Sequence, residues 1–461
     1  MPKLNVTLPE FIKKLSKSFS DHRGTAYLVG GAVLDVLSNR KVKDWDMEVF
    51  GLSYDQISQV ASQFGESDLI GNKFGVVKLK SEEFDVEIAV PRIENKNGLR
   101  HKDFDIQLVP DLSLFDAARR RDFTMNSLYL EIDNNMLHDL FGGYYDYRRG
   151  IVQHIDAKTF VEDPLRCFRA MQLVARKGKR VTHDTVQLCK SMKEDCSHLS
   201  GDAIFAEFVK LLMLSDKPDK GLRFLVWSEL IDLFPELKAL IDCKQNPVHH
   251  QEGSAFEHTL MVIREAAKYR DAIPEEWRLA YMFGMLLHDV GKPAATDPVT
   301  LKAIGHDKLG KPLAKTFMER LTRDKDLIDK VKRIVRAHMR PLIYLKDGSK
   351  ASAWRKLHNL CPLNILAYVA MADNNGRGIS RSHRFSEEDT MFQTIMKMHE
   401  LIGSHKGDIP SVLMGRHLIE AGFKPGKYFS AMLAKAYEFQ LETGCDDIEK
   451  LLEIATNEKT I

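Results

Sequence analysis

Apolar and polar positions follow two different rhythms along this chain, and the change falls near residue 155. Before it, short apolar runs are divided by glycines, polar turns and charge. TAYLVGG (25–31) predicts a strand that closes at a glycine turn, AVLDVLS (32–38) a helix opening after it, and WDMEVFG (45–51) a second strand. FGVVKLK, the polar turn SEE and FDVEIAVPR (74–92) predict a hairpin. Beyond residue 155 helical spacing takes over in DPLRCFRAMQLVARK (163–177), DAIFAEFVKLLMLS (202–215) and EEWRLAYMFGMLLHDVG (275–291). Polar breaks occupy 243–255 and 373–389, and the C-terminal stretch is again helical in pattern. The expected class is α+β: a small α/β head with a mixed sheet, then a long, mostly α-helical remainder.

Composition narrows this picture. The 461 residues suffice for several domains, and 44% hydrophobic with 29% charged residues is ordinary for a globular protein. A net charge of +2 argues against a uniformly basic surface. The basic residues are nevertheless clustered, in RRRD (119–122) and in Arg166, Arg169, Arg176, Lys177, Lys179 and Arg180, where they could grip phosphates locally. Six scattered cysteines without a CxxC pair point to a reducing compartment. The N-terminal stretch lacks the apolar core of a signal peptide, and no run approaches a membrane span, so a cytoplasmic protein without a membrane partner is expected.

Two acidic residues raise the first chemical question. Asp44 and Asp46 stand one residue apart, thirteen positions after Gly31. In a strand, residues i and i+2 share a face, so the two carboxylates would project together and repel unless a cation lies between them. Mg²⁺ suits such a site, because it binds a few carboxylates together with substrate phosphates. Two metals held this way could activate an attacking hydroxyl and stabilise a pyrophosphate leaving group. Gly30 and Gly31 would let the backbone approach a phosphate ahead of a helix N-terminus. A third carboxylate could come from FDVEIAV, which offers Asp85 and Glu87 on one strand face.

Four ordered motifs then carry a resemblance. LVGGAVLD…KDWD, RRDFTMNSL, DLFGGYYDYRRG and EDPLRCFRAMQLVAR, between residues 27 and 180, resemble the class II tRNA nucleotidyltransferases, the family of CCA-adding enzymes and bacterial poly(A) polymerases. The resemblance implies a nucleotidyltransferase-type head in which Asp44 and Asp46 hold catalytic Mg²⁺, with Glu87 as third acid. It implies that Gly31 and Arg121 contact the triphosphate, that Asp122 and Asn126 lie near the ribose, and that Asp163 and Arg166 read the base edge, with Arg169 nearby. An acceptor and a guanidinium three residues apart on a helix could read such an edge together. One position departs: the family pattern GG-x-V-R-D is here GGAVLD, with Leu34 in place of an arginine that contacts phosphate or nucleotide. Leucine offers neither hydrogen bonds nor charge. Lys41 or Lys43 could compensate, and restoring arginine at 34 is expected to tighten nucleotide binding.

A second constellation is spread over the helical half. FEHTL supplies His258, LLHDVGKP supplies His288 and Asp289, IGHDKLG supplies His306, RAHMRP supplies His338 and MADNNGR supplies Asp373. Imidazoles with carboxylates suit divalent first-row metals. The ordered set resembles the HD phosphohydrolases. That resemblance implies a metal (Ni, Mn, Fe, Zn or Mg) on His258, His288, Asp289 and Asp373, with His306 and His338 contacting phosphate or a second metal. The two resemblances together imply four parts: a head (1–140), a helical neck and body (141–245), an HD domain (246–380) and a helical tail (381–461) that holds tRNA. They imply addition of C and A from CTP and ATP to tRNA 3′ ends, with removal of blocking or 2′,3′-cyclic phosphates at the HD site. The alternatives are a poly(A) polymerase, a CC-only or A-only enzyme, or a catalytically weak RNA-binding protein with HD phosphodiesterase activity. The stretch 94–116 is long enough to be the flexible element that the family associates with the switch from C to A.

Overall fold

The computed structural model describes residues 3–42, 44–68, 75–81, 84–96, 104–247, 250–378, 386, 388–403 and 409–457. The chain divides into two compact units, Met1–Leu233 and Phe234–Ile461. The architecture is α+β, as its patterning predicts.

The first unit begins with β1 (Thr25–Val29), β2 (Trp45–Phe50), β3 (Glu66–Asp68), β4 (Val76–Lys80), β5 (Asp85–Ala89), β6 (Arg92–Lys96), β7 (Phe104–Leu108), β8 (Tyr129–Glu131) and β9 (Met136–His138). Seven of these form one sheet in the order β3-β4-β5-β2-β1-β8-β9. It is mixed, because β2 runs parallel to β5 while its other neighbour, β1, is antiparallel. Period-two alternation fixes the faces: Val77, Leu79, Val86 and Ile88 are buried, whereas Lys78 and Glu87 are exposed. The helix Glu10–Asp21 contributes Ile12, Leu15 and Phe19 to the core on the buried side. The opposite face carries a smaller apolar cluster around Val29, Ala117, Ala118 and Tyr129, beside polar side chains that include Asp46 and Glu87.

Three local expectations change. Gly30 and Gly31 are the first residues of the helix Gly30–Leu37, not a turn ahead of it. Gly30 has φ +60°, a left-handed value that costs glycine no Cβ clash. The stretch 94–116 contains part of the β6–β7 hairpin and the helix Leu114–Arg119. Phe104, Ile106 and Leu108 alternate as a strand should, but the polar β6 hides its pairing from pattern reading. Residues 97–103, and with them much of the expected flexible element, lie outside the described residues, as does Lys43.

Leu34 is the third change. It is 1% exposed and belongs to the apolar core of the head. Its helix turns Ala32, Val33 and Leu34 inward together. The position is therefore a packing position in this chain, and an arginine there would bury a guanidinium among aliphatic side chains.

The remainder of the first unit is helical. The helix Leu165–Arg176 is buried along most of its length and packs on the helices Gly201–Leu214 and Pro218–Trp227. Directly after it, Lys177 Nζ lies 3.0 Å from Asp35 Oδ1 on the helix Gly30–Leu37. In the second unit the helices Ala255–Tyr269, Glu275–Leu287, Lys325–Ala337 and Leu363–Asn375 pack on one another, and His306–Leu321 packs on Lys325–Ala337. Among the described residues no helix is long and apolar enough to cross a membrane.

The buried setting of Leu34 gives a test. Leu34→Arg is expected to lower the thermal midpoint by about 5–10 °C, since an unpaired buried charge costs several kcal/mol and each kcal/mol shifts a unit of this size by roughly 2–4 °C. Leu34→Met should stay near wild type. An unchanged midpoint together with tighter CTP binding in Leu34→Arg would restore the arginine expectation.

Candidate functional site

The polar face of the head sheet gathers the first constellation. Asp46 on β2 and Glu87 on β5 are direct partners in the parallel register. Asp44 is exposed and precedes the strand, which starts at Trp45, so only Asp46 sits within the ladder. Burial and the nearby charges of Glu87 and Asp44 push the Asp46 carboxyl up to about 6, against the opposing pull of Arg121. A carboxylate disfavoured in this way is a strong candidate for a cation ligand. Glu87 is answered from the other side by Lys78 on β4, its register partner, with Nζ 2.7 Å from Oε1. The three carboxylates do not fall within one 4.8 Å cluster. Repulsion between adjacent strands, and the pull of Lys78, account for that spread.

Arg121 is fixed beside them. Its Nη2 donates to Glu48 Oε2 (2.7 Å) and its Nε to the Tyr129 hydroxyl (3.1 Å). Burial works against its charge, but Tyr129 and Glu48 raise its pKa above the usual arginine value. A Cβ built on Gly30 would lie 3.8 Å from Asp46 Oδ2 and 3.9 Å from Arg121 Nη1, so turn, acid and guanidinium converge. A Cβ on Gly31 would meet nothing within 4 Å. Backbone amides at a helix start beside a guanidinium are groups that suit a phosphate.

The nucleotide-reading residues come together in part. Asp122 Oδ1 accepts from Asn126 Nδ2 (2.9 Å), and Arg169 Nη1 lies 3.6 Å from Asp122 Oδ2. Asp163 lies just ahead of the helix rather than on its face, and its Oδ1 accepts the Leu165 amide (3.0 Å), a capping contact. Arg166 is buried and donates Nη1 to the Thr159 carbonyl (2.6 Å) and Nη2 to the Arg120 carbonyl (2.7 Å). Its fork therefore braces backbone in this structure, and its buried Nε lacks a hydrogen-bond partner among the described residues. Asp163 and Arg166 do not form the simple helical i,i+3 pair that spacing suggests, because Pro164 starts the helix after Asp163.

The second constellation converges fully. His258 lies within the helix Ala255–Tyr269, His288 and His338 directly follow helices, His306 begins one, and Asp373 lies near the end of another. Each imidazole turns Nδ1 to a carbonyl: His258 to Gly376 (3.2 Å), His288 to Met285 (2.8 Å), His306 to Ala303 (2.7 Å) and His338 to Val335 (2.8 Å). Carbonyls only accept, so Nδ1 carries the proton and each Nε2 presents a lone pair. His258 Nε2 lies 3.0 Å from Asp373 Oδ1, and His306 Nε2 lies 3.1 Å from His338 Nε2. His288 Nε2 lies 3.2 Å from Asp289 Oδ2, and His306 Nε2 lies 3.3 Å from Asp289 Oδ1. His258, His288 and Asp373 form one cluster within 4.8 Å, and Asp289, His306 and His338 form another. His288 Nε2 and Asp289 Oδ2 are buried without a partner in hydrogen-bond geometry. Orphaned donor atoms aimed at one point are what a divalent cation would satisfy, so the residues fit a metal.

Charge supports that fit. Burial opposes ionisation of Asp289 and Asp373, yet His288 and Lys292 hold the first, and His258 and Arg377 the second, well below the usual carboxylate range. Burial, with His288 and His306 close by, pushes His338 down to about 3, so its ring is neutral and ligand-competent. Two further residues at this site, Glu252 and Lys292, were not singled out by sequence reading. Glu252 Oε1 lies 2.9 Å from His258 Nδ1 and 2.8 Å from His250 Nδ1. Lys292 Nζ lies 2.7 Å from Asp289 Oδ2 and donates to Gln245 Oε1 (2.5 Å). The i,i+3 step from Asp289 to Lys292 in HDVGK was the available signal for that lysine.

Comparison with known proteins gives the same two parts. Residues 26–153 match the Poly A polymerase head domain, and residues 255–374 match the HD domain. The multifunctional CCA protein of Actinobacillus pleuropneumoniae serotype 5b is 32% identical over 368 residues, covering 76% of this chain and 85% of the relative. That of Acinetobacter baylyi is 28% identical over 432 residues, covering 90% of this chain and 99% of the relative. Among solved structures, the Bacillus stearothermophilus CCA-adding enzyme in complex with CTP aligns with TM-score 0.62 at 20% identity, over 95% of this chain and 94% of that one, a likeness of fold. With a head and an HD domain in the order of those relatives, and identity above 30% across most of one of them, the chain belongs to the multifunctional CCA protein family of tRNA nucleotidyltransferases.

Proposed function

We propose that this protein adds C and A, from CTP and ATP, to the 3′ ends of tRNA in the cytoplasm without a nucleic-acid template, and that its HD site hydrolyses phosphate or 2′,3′-cyclic phosphate esters. The observation that carries the first activity is the in-register pair Asp46–Glu87, with Arg121 and Gly30 beside Asp46. Asp44, Asp46 and Glu87 would hold Mg²⁺, which when bound activates the attacking 3′-hydroxyl and offsets charge on the leaving pyrophosphate. Arg121, already oriented by Glu48 and Tyr129, supports the triphosphate without reorganising. Asp122 and Asn126 form a hydrogen-bonded pair for the ribose, with Arg169 beside them. Asp163 and Arg169 supply acceptor and donor toward the base, and Arg166 holds the segment from which they project. The mixed product distinguishes this reading from a polymerase: short tRNA given CTP and ATP should end in CCA, whereas long runs of A would mean a poly(A) polymerase, and no incorporation a silent RNA-binding head.

For the HD site, the supporting observation is that four lone-pair nitrogens and two carboxylates converge from separate helices. His258, His288, Asp289 and Asp373 would hold a divalent transition metal or Mg²⁺, which polarises a phosphoryl oxygen and lowers the pKa of a bound water. His306 and His338 stand on the opposite oxygen of Asp289, at 3.3 and 3.9 Å, a placement that suits either a substrate phosphate or a second cation. Clearing a blocked end would prepare the free 3′-hydroxyl that the head requires.

Four outcomes follow from these assignments. Asp46→Asn is expected to reduce C and A incorporation by at least ~10³-fold, as loss of a catalytic carboxylate does. The same change should raise the thermal midpoint. A carboxyl whose folded pKa is raised from 3.8 to about 6 penalises the folded state, fully so above pH 6, and the amide removes that charge. A lower midpoint in a calorimetric scan at pH 7.5 would contradict it. The raised carboxyl also means that protons compete with Mg²⁺: affinity measured by titration at the head should fall about tenfold per pH unit below about 6. For the second site, His288→Ala should abolish hydrolysis of 2′,3′-cyclic AMP and lower bound metal per chain while leaving CTP incorporation on unblocked tRNA unchanged.

A further inference from the structure

The metal-ligand cluster opens into a cavity of about 630 Å³, lined by six cationic side chains (Lys244, Lys292, Lys302, Lys308, Arg340 and Arg377) against three carboxylates, Asp289, Asp307 and Asp373. Such an excess selects an anion. Two of the cations are engaged within the wall: Lys292 with Asp289 at 2.7 Å, and Arg340 with Asp307 at 3.7 Å. Arg377 differs. Its Nε is buried and has no hydrogen-bond partner among the described residues. A buried guanidinium nitrogen left without an acceptor is costly unless a ligand supplies one.

The backbone around Arg377 is also held with unusual care. The carbonyl of Gly376 receives the Nδ1 of His258 (3.2 Å), and the amide of Gly378 donates to Glu252 Oε2 (2.9 Å). Glu252 in turn faces His258 Nδ1 at 2.9 Å. A Cβ on Gly376 would lie 2.3 Å from Val262 Cγ2 and 2.8 Å from the Val262 backbone, so only glycine lets the turn pack this closely. The turn 376–378 is therefore tied to His258, directly through Gly376 and by way of Glu252 through Gly378, and Arg377 lines the cavity together with Asp289, His306 and Asp373. We propose that Arg377 grips the phosphate of the substrate at this site, engaging the non-bridging oxygens of a terminal or 2′,3′-cyclic phosphoester. The planar fork suits two oxygens on one phosphorus, which a lysine ammonium would not match.

This assignment rests on the reading of the cavity as a phosphoester hydrolase, and the experiment separates the two. The full chain loaded with Mn²⁺ is titrated calorimetrically with inorganic phosphate, and hydrolysis of 2′,3′-cyclic AMP is followed in parallel. Arg377→Gln should weaken phosphate binding and raise KM about 10- to 100-fold, the range for one charge-assisted contact, with bound manganese per chain and CTP incorporation unchanged. Arg377→Lys should recover part of the affinity, and it also guards against a folding defect in the glutamine variant. Wild-type phosphate affinity in Arg377→Gln, or loss of manganese from it, would overturn the role of Arg377. A wild-type chain that neither binds phosphate nor hydrolyses the cyclic nucleotide would overturn the reading of the cavity itself.

Discussion

Carboxylates held close to one another raise the free energy of a fold, and both units are arranged around that cost. In the head, the parallel register of β2 and β5 sets Asp46 against Glu87, and the surroundings answer with Arg121 on one side and Lys78 on the other. In the second unit Asp289 and Asp373 are nearly inaccessible, and four imidazoles and Lys292 surround them. Neither arrangement would persist as a by-product of packing, because apolar residues of similar size would fill the same space more stably. The charge is retained because it is used.

What keeps these groups in place is mostly backbone. The histidines of the HD site are aimed by carbonyls at helix ends, where acceptors are left over from the helical ladder. Arg166 is held by two carbonyls, and Asp163 by an amide. Side chains tied to main-chain groups move only when the chain moves, which suits sites that must hold several charges in one geometry.

Much of this was legible in the sequence, and the failures have physical causes. The strands and the helices within 163–177 and 275–291 follow from periodicity, since each depends on residues close in the chain, whereas the HD ligand set came from the family resemblance, with His258 and Asp373 115 positions apart. A motif records identity, not direction, so the burial of Leu34 on the helix that starts at Gly30 was not legible in GGAVLD. The i,i+3 spacing of Asp163 and Arg166 does not place both on the helix, because the helix begins at Leu165 with Pro164 as its cap. Glu252 and Lys78 act through partners outside their own element: Glu87 faces Lys78 across a strand pair, and Gly378 faces Glu252 across the fold.

The contact between Lys177 and Asp35 has a wider meaning for a polymerising enzyme without a template. Asp35 belongs to the helix that opens at the phosphate-approach glycines, and Lys177 directly follows the helix introduced by Asp163. The lysine is 12% exposed, so the link is shielded from salt. On the proposed assignment, the phosphate end and the base edge of a nucleotide would meet elements fastened to each other, so this link would set the span between them and select a nucleotide by length as well as by hydrogen bonding.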